Sequence, residues 1–103
     1  MRRIRLLRRR SNSPAARVAR GVEQMNWRGP ENWRDRIDPA VLDVRSGFEC
    51  AVGQVFREEG YSVGLRLLGL DRVTGLELAS FGFLHLGSQD AVRLNEEWRK
   101  VLT

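Results

Sequence analysis

The chain has 103 residues, about the length of one domain, so a two-domain enzyme is excluded, and its 42% of hydrophobic residues disfavour a wholly disordered chain. No window approaches the roughly 18 uncharged apolar residues that a membrane span needs. The formal net charge is +5, but it is unevenly distributed. Residues 1–20 hold eight Arg and no acid, whereas residues 21–103 hold ten bases and thirteen acids.

The chain has one cysteine, Cys50, and one histidine, His85. An intramolecular disulfide and a Cys-rich zinc site are therefore excluded, and we expect no metal and no cofactor. The basic start is not followed by the apolar stretch of a secretory signal. We expect a cytoplasmic protein of a bacterial cell, with association with a virus particle as an alternative.

The first predicted segment is a basic arm, residues 1–12, which we expect to be flexible. Ser13 and Pro14 then have the residue types of a helix N-cap and first helical position. Apolar residues follow at helical spacing, and Gly29-Pro30 ends the helix. They are Ala15, Val18, Val22 and Met25.

The middle of the chain carries two further helix signals. Asp38-Pro39 predicts a short helical turn through Asp43. Ser46 and Glu49 have capping-box spacing, which predicts a helix over 47–59 that Gly60 ends. Its predicted inward face consists of Phe48, Ala51, Val52, Val55 and Phe56.

The last part predicts three more elements and one ambiguous stretch. Ser62 begins a short helix that ends at Gly69, and Thr74-Gly75-Leu76-Glu77 is a second capping box that begins a segment to Ser80. Residues 81–86 are either extended or a buried turn. Ser88 caps a final helix with its inward face at Ala91, Leu94, Trp98, Val101 and Leu102. The fold class is therefore mainly α, with about five helices forming one compact domain over 13–103 and a basic N-terminal arm.

The arginines near the N-terminus are the candidate site for nucleic acid or another polyanion. Guanidinium groups pair bidentately with phosphate, and binding of this kind depends on salt rather than on base sequence. The alternative is a solubilising tail. A role at a membrane surface is less favoured because the segment has few apolar residues, and we therefore expect no membrane partner. The candidate residues are Arg2, Arg3, Arg5, Arg8, Arg9, Arg10, Arg17 and Arg20.

A protein partner is also expected. Trp33 stands between polar residues and is the tryptophan expected to be exposed, and with Phe81 and Phe83 it forms the candidate docking surface. A helix-turn-helix is disfavoured because the segment after Ser62 offers few polar side chains to base edges. No catalytic residues are predicted, because nothing in the spacing brings Cys50 to a base.

Three motifs carry a resemblance. They are Trp33-Arg34-Asp35-Arg36-Ile37-Asp38, Cys50-Ala51-Val52-Gly53-Gln54-Val55-Phe56 and Phe81-Gly82-Phe83. In this order they resemble a group of small uncharacterised proteins of actinobacteria and their phages, over about residues 33–98. Ala51-Val52 and Arg57-Glu58 depart from the usual Val-Leu and Gly-Asp. The resemblance implies a source and domain limits, but no activity.

The function expected from these observations is that of a non-catalytic phage or actinobacterial accessory protein. Its helical domain would bind a protein and its arm would contact a polyanion. The alternatives are a host-directed inhibitor that acts by protein contact alone, a minor virion component and, least favoured, an enzyme that uses Cys50. The oligomeric state is not predicted.

Overall fold

The structure, a computed structural model, describes residues 11–103 as five α-helices and one 3-10 turn. In chain order they are α1 (Pro14–Arg28), the 3-10 turn (Trp33–Arg36), α2 (Ala51–Val55), α3 (Tyr61–Leu67), α4 (Gly75–Ser80) and α5 (Ser88–Leu102). No strand occurs within these residues. The predicted mainly α fold is confirmed, while almost all of the predicted basic arm lies outside the described residues.

The two long helices, α1 and α5, pack against each other. Gly21 permits this approach, because a Cβ there would lie 2.2 Å from the carbonyl oxygen of Phe81 and 3.0 Å from the Trp98 ring. The indole N–H of Trp98 donates to the carbonyl of Gly82 at 2.8 Å, so this buried side chain leaves no donor unsatisfied. Trp98 therefore joins α1, α5 and the turn that follows α4.

Local capping signals locate several helix ends. Ser13 Oγ accepts from the N–H of Ala16 at the start of α1, as predicted. Thr74 and Glu77 form the full reciprocal capping box of α4. Gly69, which was predicted to end its helix, follows the C-cap of α3 and has φ +77, a left-handed conformation that favours glycine.

The prediction of one helix over 47–59 is wrong. Ser46 Oγ accepts from the N–H groups of Phe48 and Glu49, but these residues form a separate turn. The helix itself begins after Cys50, whose sulfur accepts from the N–H of Gly53. Residues 56–59 are again turns, so α2 is only five residues long.

Residues outside the helices settle three further expectations. Residues 39–41 form a turn in the region where Asp38-Pro39 predicted a short helical turn. Residues 81–87 are turns, bends and coil, which agrees with the buried-turn alternative. The N-cap of α5 is Gly87, at φ 128, and not the predicted Ser88.

Candidate interaction surface

Arg17 is a structural residue and is unavailable for binding a polyanion, which corrects its place in the candidate set. Only 3% of its surface is exposed. Its guanidinium makes a two-pronged contact with the Asp90 carboxylate at 2.7 and 2.9 Å and donates to the carbonyls of Ala79 and Leu84. We call Arg17, Ala79, Leu84 and Asp90 the Arg17 cluster.

The electrostatics of the Arg17 cluster favour the charged form of Asp90. Hydrogen bonds from the Arg17 side chain hold the pKa of the Asp90 carboxyl below its usual value, while partial burial opposes this shift. The backbone N–H of Leu86 donates a further hydrogen bond to the same carboxylate at 2.7 Å. The cluster therefore joins α1, the end of α4, the 81–87 segment and α5.

Arg20, the second predicted polyanion-binding residue on α1, also contributes to the fold. It donates to the carbonyls of Ser80 at 2.7 Å and of Ser11 at 2.9 Å. These contacts hold the beginning of the described chain beside the end of α4. The other six predicted arginines, Arg2, Arg3, Arg5, Arg8, Arg9 and Arg10, lie outside the described residues.

The prediction that Trp33, Phe81 and Phe83 form an exposed docking surface is wrong, because these side chains are buried or partly buried. Trp33 is only 2% exposed, its indole N–H donates to Asn26 at 2.9 Å, and the Arg34 guanidinium covers its ring at 4.5 Å. Phe83 is equally buried and stacks between Phe81 and Trp98. The 3-10 turn directs Trp33 inward while its polar neighbours face solvent, and Phe81 is itself partly buried.

Other large apolar side chains are exposed instead. Phe48, which was predicted to face the core, is 76% exposed, because it stands in the turn before α2 and not on the helix. Trp27 and Leu76 are exposed to a similar degree on α1 and α4. Sequence reasoning missed these surfaces because the spacing of Phe48 matches that of the true core residues of α2.

Phe48 lies at a mainly apolar groove of about 290 Å³, which we call the Phe48 groove. Two of its lining residues, Gly47 and Gly53, pack closely against each other, because a Cβ at Gly53 would lie 2.0 Å from the carbonyl oxygen of Gly47. Desolvation raises the pKa of the half-buried Tyr61 phenol. The groove is lined by Gly47, Phe48, Gly53, Arg57, Gly60, Tyr61 and Ser62.

A second hollow, of about 430 Å³, shares the Arg57 side chain with the Phe48 groove. Its lining includes two arginines, Arg36 and Arg57, and two glutamates, Glu58 and Glu59, so it has no net charge, and we call it the mixed-charge hollow. Arg57 lies 3.7 Å from the Glu49 carboxylate, and Arg36 donates to Asn32 and to the Val55 carbonyl. Glu58 and Glu59 have no ion-pair partner within residues 11–103.

Cys50 and His85 have separate hydrogen-bond partners. Burial raises the pKa of the Cys50 thiol, which lowers its thiolate fraction at neutral pH. The Nδ1 of His85 interacts with the backbone of Gly87. These contacts supply neither a base for the thiol nor a thiol for the imidazole.

The described residues contain no group of three or more His, Cys, Asp or Glu side chains arranged to hold a metal ion. Among the same residues, no helix combines the length and the apolar character needed to cross a bilayer. Three comparisons with known proteins gave no match: no family model, no curated protein and no solved structure resembles this chain. The resemblance drawn from the three sequence motifs therefore stays a prediction.

Proposed function

We propose that this chain is a non-catalytic accessory protein whose basic arm contacts nucleic acid or another polyanion. One observation carries the proposal, the segregation of charge along the chain. Residues 1–10 contain six Arg and no acid, whereas residues 11–103 contain twelve basic and thirteen acidic residues. Six closely spaced guanidinium groups without a local counter-charge favour phosphate oxygens, while the remainder has no net attraction for them.

The contacts within the domain support assigning this role to the arm. The Arg17 guanidinium is buried and hydrogen-bonded within the Arg17 cluster, and the Arg20 guanidinium donates hydrogen bonds to the carbonyls of Ser80 and Ser11. Among the arginines predicted to bind a polyanion, the proposal now rests on the six that precede Ser11. The phage or actinobacterial origin implied by the sequence motifs belongs to the same proposal, as does a site of action in the bacterial cytoplasm.

The direct test is the fluorescence anisotropy of a labelled 20-base-pair DNA duplex titrated with full-length protein at low salt. Changing all six arm arginines to Gln should weaken binding at least tenfold, because the phosphate contacts dominate affinity. Repeating the titration with single-stranded DNA and with heparin separates a nucleic-acid preference from general polyanion binding.

A matched variant controls for net charge. It changes six exposed domain arginines to Gln and so removes the same formal charge from the domain while leaving the arm unchanged. Binding should then be within about threefold of the wild type, since distant exposed charges are screened. If both variants lose affinity equally, the arm has no specific role. The control positions are Arg28, Arg34, Arg57, Arg66, Arg72 and Arg93.

A second candidate function, action through protein contact alone, is favoured by the exposure of Phe48, Trp27 and Leu76. It includes the host-directed inhibitor and the minor virion component. Affinity capture from a host lysate, with and without nuclease, distinguishes it. Partners that are still captured after nuclease treatment, and equally well by the arm variant, support protein contact. Partners that are lost after nuclease treatment and are also lost with the arm variant support the nucleic-acid proposal.

A further inference from the structure

Trp27 is the one tryptophan of this chain whose ring is open to solvent. It is 73% exposed, whereas Trp33 and Trp98 are 2% and 1% exposed. The Arg28 guanidinium lies over one face of the Trp27 ring, 5.3 Å from its centroid. A cation–π contact of this kind restrains the ring and leaves the opposite face for a flat ligand.

The surroundings of Trp27 favour a nucleobase over the core of a protein interface. No other large apolar side chain is exposed along α1, all of whose residues the structure describes. Protein interfaces bury their aromatic anchors at the centre of well-packed, apolar contacts. A base needs only one aromatic face, and a guanidinium beside that ring adds attraction for the adjoining phosphate. An isolated tryptophan next to an arginine therefore matches a single stacked base.

Trp27 lies on the helix that begins where the basic arm ends. Exposed positions recur every four residues along α1, at Ala15, Ala19, Glu23 and Trp27, so one side of the helix connects its start with the ring. The distance from Pro14 to Trp27 is about 20 Å at the rise of an α-helix. A strand of about ten nucleotides exceeds this distance even at a compact spacing of about 3.4 Å per nucleotide. One strand can therefore contact the arm and Trp27 together.

We infer that the polyanion is a single-stranded nucleic acid, one base of which stacks on the open face of Trp27. The inference rests on the proposed function, because the arm supplies the charge contacts. Glu23, one turn before Trp27, repels phosphate, so the side of α1 itself adds little electrostatic attraction. Stacking instead adds a contact that needs no charge pair. The bases of a duplex are already stacked on each other, so a duplex binds through the arm alone.

Quenching of the intrinsic fluorescence tests the inference, because Trp27 is the only exposed tryptophan. The full-length protein is titrated at low salt with an oligothymidylate of about 20 nucleotides, which cannot pair with itself and stays single-stranded. Stacking should quench the exposed part of the emission, and a duplex at the same saturation should quench far less. The anisotropy of a labelled oligothymidylate measures binding in parallel. Binding without quenching overturns the inference and leaves the proposed function intact.

Removing the ring tests how much it contributes to affinity. Trp27→Ala should weaken oligothymidylate binding about tenfold, the size typical of losing one stacked base, and change duplex binding by less than about twofold. The fold tolerates the change, because the ring is exposed and Ala is the best helix former.

Phe48→Ala is the matched control, since this aromatic ring is 76% exposed outside α1. It should leave both affinities unchanged. Equal losses for the two variants, or an unchanged oligothymidylate affinity for Trp27→Ala, contradict base stacking on Trp27.

The arm variant separates the inference from the proposed function. If it loses affinity for both DNAs while Trp27→Ala loses affinity only for the single strand, both are supported. Quenching that persists at similar concentrations in the arm variant rejects the role of the arm and keeps the stacking. Binding of heparin but of neither DNA rejects the single-stranded ligand and keeps the proposed function. Capture of a nuclease-resistant partner that Trp27→Ala abolishes would assign the ring to protein contact and overturn the inference.

Discussion

The Arg17 cluster and the Phe48 groove differ in how completely the protein itself satisfies their side chains. Arg17 is buried and its guanidinium has three partners from three other parts of the chain. Phe48 has about three quarters of its surface exposed and lines a mainly apolar groove. The comparison separates a cation used for stability from an apolar surface that suits binding.

The same contrast distinguishes the arginines of this chain. An arginine with a buried partner belongs to the fold, as Arg17 does. The six that precede Ser11 have no acid within their own segment. The arginines near the N-terminus therefore fall into two groups: Arg17 stabilises the fold, and the six that precede Ser11 are those on which the proposed polyanion binding rests.

The largest expected change in the free energy of unfolding comes from replacing Arg17. Arg17→Met leaves the Asp90 carboxylate partly buried without its cation, and removing one partner of a buried pair destabilises by about 3–5 kcal/mol. We expect a decrease near the lower end, because Asp90 retains the Leu86 N–H and some exposure. Urea unfolding followed by circular dichroism measures it.

Arg45→Met is the matched control, since Arg45 pairs with Asp43 at the surface. Exposed pairs contribute about 0–1 kcal/mol. If the two variants unfold at the same urea concentration, the structural importance of the Arg17 cluster is disproved.

The next effect concerns the glycine contact beneath the Phe48 groove. Gly53→Ala places a Cβ against the carbonyl of Gly47, so the backbone must shift, and overpacking of this kind destabilises by about 1–3 kcal/mol. Gly47→Ala is the control, because no atom lies within 4 Å of a Cβ built there. Equal thermal unfolding midpoints for the two variants would contradict the close packing at Gly53.

A smaller effect on the free energy of unfolding is expected when the pH is lowered. The folded-state pKa of Asp90 lies below the unfolded value of about 4, so its stabilisation is present above pH 4 and is lost as the pH falls through the folded-state pKa. The difference in unfolding free energy between the wild type and Asp90→Asn should therefore be constant from pH 7 to 5 and shrink below pH 4. A difference that is independent of pH would show that the Asp90 charge is not what stabilises the cluster.

The smallest effect on stability is expected at Phe48. Phe48→Ser removes a mostly exposed ring, and exposed substitutions change the free energy of unfolding by less than about 0.5 kcal/mol. A loss of about 3 kcal/mol or more, the size expected for truncating a buried phenylalanine, would place Phe48 in the core after all.

Sequence reasoning succeeded where the determinants are local. Ser13-Pro14 and Thr74-Glu77 satisfy backbone donors within one turn, so their residue types suffice to locate the starts of α1 and α4. The final helix was predicted from its apolar spacing, which is also local, although its N-cap is Gly87 and not Ser88.

Sequence reasoning failed where the contacts join residues that are far apart along the chain. Arg17 meets Asp90 across 73 positions, and no pattern near Arg17 announces that partner. Residues 48–56 have helical spacing, but the packing of Gly47 on Gly53 places Phe48 outside the helix. Trp33 has polar neighbours, yet the 3-10 turn buries it against Asn26. The Phe48 groove, the most apolar of these surfaces, therefore could not be predicted.

The salt dependence of DNA binding tests most directly whether the arm is the polyanion-binding element. If the six arm arginines contact six phosphates, the logarithm of the association constant should fall with the logarithm of salt concentration at a slope of about −5. Changing these six residues to Gln should reduce the slope to near zero, while the six-residue domain variant keeps it. An unchanged slope after loss of the arm arginines would contradict the account.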